Sequence, residues 1–499
     1  MTDLAYLGLS KPRKFIYKTT KGFRGLGKKA KGFFRKIPYA FKNLGSKIKS
    51  IFSVVGDAAL YGDWKTRLSF ILFGFGNIAR KQFLRGFLFL IYEIVFVLYM
   101  IFFGGQYISK FGTLGTIESG KDDTGFVVVG DDSFNILLYS VLTILVIFCT
   151  LYVWYQSIKQ AYSAQEMQEI NKKLINGRED LAHLGDRYYH ATLLALPMVG
   201  LVCFTIVPLI FMIFVSFTNY NALHVPPNQL FTRVGFDNFQ TMLSGSGLGG
   251  GDNAKFTYTF WVVLGWTILW AILATFTNFI IGMIVAVVIN KKGIKLKKLW
   301  RTILVTTIAV PQFVSLLLMS KMLQDNGIYN QLLMSMGLEP IRFLMDPTIA
   351  KVTVVVVNLW VGVPFTVLSC TGILLNIPED LYEAARIDGA NPYRMFVNIT
   401  LPYMMFVMTP SLITTFVGNI NNFNIIYLLT GGGPNLDPAM ITSAGQTDLL
   451  ITWLYDLTVN EQSYDMASVI GILIFIICAV FSLIFYSRSK SLKNEEDFQ

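Results

Sequence analysis

Charge is scarce in this 499-residue chain: Asp, Glu, Lys and Arg make up only 15% of it, where soluble globular proteins carry nearer a quarter. With 53% hydrophobic residues, that scarcity excludes an ordinary soluble enzyme. Cysteine is also sparse. Cys149, Cys203, Cys370 and Cys478 fall in four different apolar runs, so neither a disulfide framework nor metal-ligand spacing is present. Of three histidines, His183 and His190 lie seven apart in one polar stretch with no third ligand beside them, so no metal site is expected. No secretory signal peptide is expected: the first long apolar run follows more than eighty residues and has no small-residue cleavage pattern. The chain is therefore expected to keep its N-terminus. A usable phosphate loop is missing as well. Gly22-Phe-Arg-Gly-Leu-Gly27-Lys28-Lys29 lacks the final Ser or Thr hydroxyl for Mg²⁺, a preceding strand and a following helix. No ATP hydrolysis by this chain itself is expected.

What is present is apolar sequence in long runs. Eight uncharged stretches, near residues 87–104, 135–155, 191–217, 259–290, 302–320, 352–375, 403–420 and 467–487, meet the requirement of about 20 residues per transmembrane helix. The expected fold class is all-α, a polytopic membrane protein with about eight crossings. A shorter uncharged run at 68–79 reads as an interfacial helix. Residues 1–64 hold 14 basic residues against Asp3, Asp57 and Asp63, and account for the whole net charge of +11. With Phe15, Phe23, Phe33, Phe34 and Phe41 interleaved, this tail reads either as a surface for anionic membrane lipids or as a solvated, topology-setting arm. No nucleic-acid partner is expected. Placing the N-terminus in the cytoplasm puts 35 basic residues inside and 7 outside. The cluster Lys291, Lys292, Lys295, Lys297, Lys298 and Arg301 is the strongest local marker. Both termini are thus expected inside a cell membrane.

Any energy used by this chain must then come from a gradient, from downhill flow or from a partner. Ion-coupled carriers place ionisable groups at membrane depth, and the obvious one here is Glu93, about two turns from Arg85. The loop from Ile377 to Pro402 is more informative and reads as two short helices. Pro378 suits a first turn with Glu379 and Asp380 at its positive end; Glu383 and Arg386 can pair at i, i+3; Gly389 can end the helix in a left-handed cap. Asn391 can cap a second helix with Pro392 in its first turn. Leu381, Ala384 and Ala385 form a small apolar patch for a partner's groove; a well-capped connector is the alternative.

Polar stripes appear on two crossings. Asn358, Val361, Gly362 and Phe365 share one face of the sixth, and Thr415, Gly418, Asn419 and Asn422 one face of the seventh, by their i, i+3, i+4, i+7 spacing. Asn358 lies about 9 Å from the outer end of its helix and Asn419 about 24 Å above the inner end of its own, so their depths are similar. Amides both donate and accept, as sugar hydroxyls require, and facing lipid would be costly. They line a wet cavity or bond between helices, with Gly362 and Pro364 permitting close packing and a kink.

The loop carries a resemblance. Glu383-Ala384-Ala385, then Gly389, then Ile399-x-Leu401-Pro402 match the EAA loop of bacterial ABC importer permeases. Asn358-Leu-Trp-Val-Gly-Val-Pro364, Asn421-Asn422-Phe423, Leu428-Leu-Thr-Gly-Gly-Gly-Pro434 and Thr447-Asp448-Leu449-Leu450 extend it. Over roughly residues 190–490 the chain resembles MalF-type maltose and maltodextrin permease subunits, and before that it matches less specifically, through two extra crossings. The resemblance implies a permease without ATPase activity, importing maltodextrin-type sugars and binding no cofactor, with ATP and Mg²⁺ held by partner subunits. Its implied partners are a second EAA-type permease subunit, two ABC ATPase subunits and an extracytoplasmic sugar-binding protein. ATPase coupling would involve Glu383, Ala384, Ala385, Asp388, Gly389, Ile399, Leu401 and Pro402, and the sugar site the two polar stripes. Phe365 stands where a tyrosine and Gly418 where an aromatic ring is expected, which implies a less polar, roomier site. The loop of about forty residues after the third crossing is far shorter than the external domain of some relatives. The implied organisation is a basic region at 1–84, two accessory crossings at 85–190, a six-helix core at 191–488 and a tail at 489–499. The alternative functions are a gradient-coupled sugar carrier or an ABC permease for a different oligosaccharide, and a membrane scaffold is disfavoured by the polar helix faces.

The charge count makes topology testable. In a cysteine-accessibility scan, positions in loops 105–134 and 421–466 should label from outside, and positions in 156–190 and 376–402 only after permeabilisation. External labelling of the 376–402 loop would overturn the arrangement.

Overall fold

A computed structural model describes residues 49–121, 127–174, 176–245, 253–291, 293–436 and 443–488. Most of the basic tail, its phosphate-loop-like segment, Lys292 and the segment 489–499 lie outside the described residues. Two compact units are formed, one by residues up to Phe211 with Pro226–Leu230, the other by Met212–Val225 and the chain from Phe231 onward. Among the described residues, seven helices are long and apolar enough to cross a membrane: Phe83–Lys110, Ser133–Glu169, Tyr189–Val215, Ala254–Asn290, Pro347–Leu375, Pro392–Ile420 and Tyr464–Tyr486. Strand structure among the described residues is confined to the two-residue pairs Gly120–Lys121 and Val127–Val128 and two isolated bridges.

The fifth apolar run departs from a continuous helix. It is broken into Lys297–Ala309 and Gln312–Met322, bent by 88°. Pro311 is the cause: the residue before a proline is driven out of the helical region, and Val310 is extended at φ −77°, ψ 125°. The two halves together still make one crossing. Ala254–Asn290 and Pro347–Leu375 run in the same direction, since Trp266, Trp270 and Ala274 pack with Val354 and Val357, and Phe279, Met283 and Ala286 with Val367 and Cys370. The chain between two helices that run the same way must return across the layer they span. Counting the broken pair gives eight crossings, numbered here in chain order.

The fourth and sixth crossings approach closely because of two glycines. A Cβ on Gly282 would stand 2.5 Å from Thr366 Cβ, and one on Gly362 2.2 Å from the Asn278 amide nitrogen. The seventh crossing packs antiparallel against the fourth, with Met404 and Met408 toward Met283 and Ala286 and Phe416 and Ile420 toward Phe260 and Ala271. Prolines shape two other helices. Five-residue π-helical segments, Val202–Ile206 and Phe396–Thr400, stand just ahead of Pro208 and Pro402. A proline cannot donate to the carbonyl four residues back and its ring crowds that carbonyl, and a wider turn relieves both.

In the first unit, the first two crossings are laced antiparallel by Tyr92 to Thr150 at 3.0 Å, Tyr99 to Thr143 at 2.9 Å, and Ser140 to the Tyr107 carbonyl at 2.9 Å. The run at 68–79 is not one interfacial helix. Trp64–Leu68 ends at its cap Ser69, and Phe75–Ile78 is a separate short helix that starts from Gly74, whose φ of +73° no right-handed helix can run through. Gly74 N–H donates to Ser157 Oγ at 2.7 Å, Trp154 Nε1 to the Phe70 carbonyl at 3.0 Å, and Phe73 N–H to Glu93 Oε2 at 2.8 Å. Glu93 thus serves this folded segment. Arg80, buried, holds Asp63 at 2.6 Å and Thr66 Oγ1 at 2.9 Å.

The glycine-rich stretch after the seventh crossing is tied into a knot by the Thr447-Asp448 segment. Thr447 Oγ1 is 2.7 Å from Thr430 Oγ1 and donates to the Gly433 carbonyl at 2.8 Å. Asp448 is buried, receives Gly445 N–H at 2.7 Å, and lies 2.7 Å from Thr452 Oγ1. Burial is the main cause that pushes its pKa up from 3.8 to about 7, with Asp456 adding repulsion. When protonated, it donates to Thr452 Oγ1, which passes its own hydrogen to the Leu449 carbonyl at 3.0 Å. A folded-state pKa above the unfolded value means that the folded chain binds the extra proton, so stability falls as pH rises between about 4 and 7 and is level above. With the intrinsic base-catalysed rise of amide exchange divided out, protection of amides in 443–452 should fall over that window, and Asp448→Asn should flatten that fall; an equal slope of protection in both proteins would refute this.

Candidate functional site

The two polar stripes meet at one cavity of about 300 Å³. Asn358, Val361, Gly362 and Phe365 of the sixth crossing line it, together with Thr415, Asn419 and Asn422 on the seventh and the turn beyond. Gly418 does not. At about 100° per residue it turns away from Asn419 to the margin of that face, and a Cβ there would meet open space. The fourth crossing adds Thr275 and Asn278, and the far side of the Pro311 break adds Gln312; Thr366, Ser369 and Ser411 complete the polar lining. These were missed in the sequence, although Thr275 and Asn278 repeat the i, i+3 polar spacing inside an apolar run that marked the other stripes. Phe279, Met408, Leu412 and Ile425 supply apolar wall. Every lining side chain is uncharged.

Hydrogen bonds divide the amides into two kinds. Asn419 is fastened: its Nδ2 donates to Thr275 Oγ1 at 3.0 Å, its Oδ1 accepts from Asn422 Nδ2 at 3.4 Å, and its backbone carbonyl accepts from Trp270 Nε1 at 3.1 Å. Asn358 and Asn278 are different. They are 3% and 7% exposed, yet Asn358 Nδ2 and Asn278 Oδ1 have no hydrogen-bond partner. One orphan donor and one orphan acceptor, both on the cavity wall, suit a ligand that accepts and donates, as a hydroxyl does. A buried amide left unpaired costs about 1 to 3 kcal/mol.

The 377–402 loop folds as two short helices, Glu379–Ile387 and Pro392–Met395. Gly389 takes φ +75°, and the turn is closed by Gly389 N–H to Arg386 and Ala390 N–H to Ala385 at 3.0 and 2.8 Å, a left-handed helix end. Asn391 Oδ1 accepts from Arg394 N–H at 2.8 Å, with Pro392 in the first turn. Pro378 is the cap residue itself rather than a member of the first turn. No ion pair joins Glu383 to Arg386; ion pairs among the described residues lie elsewhere. Glu383, Ala384, Asp388 and Gly389 are exposed and Ala385 half-buried, while Ile387 at the tip is 87% exposed. Tyr382 Oη lies 2.9 Å from Thr400 Oγ1, tying this helix to the π-helical segment that Ile399 shares and that leads into Leu401 and Pro402.

Comparison with known proteins adds to this geometry. Residues 278–490 match the family described as the binding-protein-dependent transport system inner membrane component. The galactooligosaccharides transport system permease protein GanP of Bacillus subtilis is 31% identical over 428 residues, covering 85% of this chain and 97% of that protein. The maltodextrin transport system permease protein MdxF of the same organism is 34% identical, covering 87% and 97%. The maltose/maltodextrin permease protein MalF of Klebsiella aerogenes is 34% identical over 50% of this chain and 48% of its own. Among solved structures, a chain of a bacterial alginate ABC transporter, in complex with its alginate-bound periplasmic protein, superposes with a TM-score of 0.51 at 20% identity, covering 62% of this chain and 97% of that one. This last likeness concerns the fold.

The orphaned amide makes a prediction about stability. Asn358→Leu, close in size and without the unpaired donor, should raise the thermal midpoint of the purified, ligand-free protein by an amount worth about 1 kcal/mol. A clear fall would show that the amide is bonded between helices in the native protein.

Proposed function

From the premise that the chain belongs to the family of binding-protein-dependent ABC importer permeases that includes the maltodextrin permeases, we propose that it carries a neutral oligosaccharide of the maltodextrin type through the amide-lined cavity. The observation that carries this reading is the pair of orphaned, buried amide atoms in an uncharged cavity wall. An acidic glycan would find no cation in that lining; a neutral one finds amides, hydroxyls and apolar ring faces. Galactooligosaccharides, named for the Bacillus relative, present the same chemistry and are the alternative substrate. The role of Glu93 as acceptor for a backbone N–H argues against gradient coupling through that residue.

In this reading the subunit pairs with a second permease and two cytoplasmic ATPase subunits that hold ATP and Mg²⁺, and an extracytoplasmic binding protein delivers the sugar. The helix Glu379–Ile387 docks in a cleft of one ATPase, with exposed Ile387 and the Ala384 and Ala385 side of the helix offered to it. ATP binding can shift the permease pair toward an outward-open state only through different affinities for the two states. The bond from Tyr382 to Thr400 passes that movement to the base of the seventh crossing, which carries Thr415 and Asn419. Both termini lie in the cytoplasm, and the basic tail meets anionic lipid.

Two variants test the reading. Gly389→Val forces a β-branched residue into a left-handed turn, a strain of about 1 to 2 kcal/mol. Sugar-stimulated ATP hydrolysis and uptake by the reconstituted complex should then fall about 5- to 30-fold, while undiminished coupling would count against docking by this loop. Asn358→Leu should weaken sugar binding by about 5- to 150-fold, and unchanged affinity would move the pocket elsewhere. Robust proton-driven uptake by the chain alone would sink the ATP-driven reading.

A further inference from the structure

A second cavity, of about 520 Å³, lies at the other end of the short helix Phe423–Leu429. The two cavities share no lining residue, but the helix joins them. Asn422, its N-cap, borders the amide-lined cavity, and Thr430, its C-cap, borders the second. At about 1.5 Å per residue the separation of these two caps is about 12 Å.

The walls of the second cavity differ in kind. On one side stand Gln324, Asp325 and Asn326, in the turn after Gln312–Met322. All three are exposed, and no described residue engages their side chains in a hydrogen bond or ion pair. On another side is Tyr427, 42% exposed, its ring stacked on Phe423 at 4.7 Å and braced by the edge of Tyr455 at 5.1 Å. Gly431 and Gly433 leave bare peptide on the floor, which the Thr430, Thr447 and Asp448 bonds hold in place. An aromatic ring and unengaged amide and carboxylate groups lining one cavity are the chemistry that takes a pyranose ring, apolar on its face and rimmed by groups that donate and accept.

We propose that this cavity is a second glycosyl subsite, holding one end of a longer oligosaccharide whose other end occupies the amide-lined cavity. In the orientation proposed above, with both termini in the cytoplasm, it lies on the outer side, where sugar arrives. The proposal rests on the oligosaccharide-importer reading above and adds chain-length selection to it. A disaccharide engages one subsite at a time; a longer chain along the helix Phe423–Leu429 reaches both, and the second contact is made without a second loss of translational freedom.

The test uses the full complex in nanodiscs and measures direct binding, without the binding protein, of malto- and galacto-oligosaccharides from disaccharide to hexasaccharide. Tyr427→Ala, and separately Gln324→Ala combined with Asp325→Asn, should weaken the hexasaccharide about 5- to 10-fold more than the disaccharide. Asn358→Leu should weaken every length. An equal loss at all lengths, or none at any, overturns the subsite. So does a loss confined to stimulation of ATP hydrolysis by the binding protein, which would make this wall a protein-docking surface. Absence of binding of any oligosaccharide to the unaltered complex would instead refute the oligosaccharide substrate on which the subsite rests.

Discussion

The close crossing of the fourth and sixth helices at Gly282 and Gly362 is the constraint on which the second unit depends. Lipid gives two helices no hydrophobic reason to associate, so their approach rests on van der Waals packing and hydrogen bonds. Glycine allows that approach: Thr366 and the Asn278 side chain occupy the space that Cβ atoms would need. The same approach presses Asn278 against the sixth helix near Asn358, in the wall of the cavity, and leaves one polar atom of each unpaired. Packing and site chemistry are therefore a single feature. The seventh helix is added by Asn419, whose side chain and carbonyl both bond to the fourth.

Irregular backbone is concentrated where it has a use. Within a bilayer it is tolerated only where protein or a water-filled cavity surrounds it, and the break at Val310 and Pro311 delivers Gln312 to the amide-lined cavity. The π-helical turn before Pro402 places Thr400 within reach of Tyr382, so the proline of the loop signature also shapes the joint between the short surface helix and the seventh crossing. In the first unit, Arg80 and Glu93 bond to a folded segment ahead of the first crossing, a structural use for charges that would otherwise be costly at the membrane.

Much was determined by the sequence alone, because the signals were local. Apolar run length marks crossings whatever they pack against, and all eight runs correspond to helices, the fifth in two pieces. Left-handed Gly389, the Asn391 cap and Pro392 follow from the conformational limits of those residues and appear as read. Two four-residue stripes named Asn358, Val361, Gly362, Phe365, Thr415, Asn419 and Asn422 as sharing faces, since helical periodicity is independent of tertiary context. What periodicity could not supply was the third wall. Asn278 and Thr275 face the cavity only because Gly362 lets the fourth helix in, and Gln312 only because Pro311 turns the chain by 88°. Gly418 shared the stripe by spacing but sits at its margin, for a cavity selects a narrower arc than a helix face. The knot of Thr430, Thr447 and Asp448, the orphaning of one amide beside a bonded one, and the second cavity along Phe423–Leu429 were decided by tertiary structure, because each depends on which groups from distant segments arrive at one place and which do not.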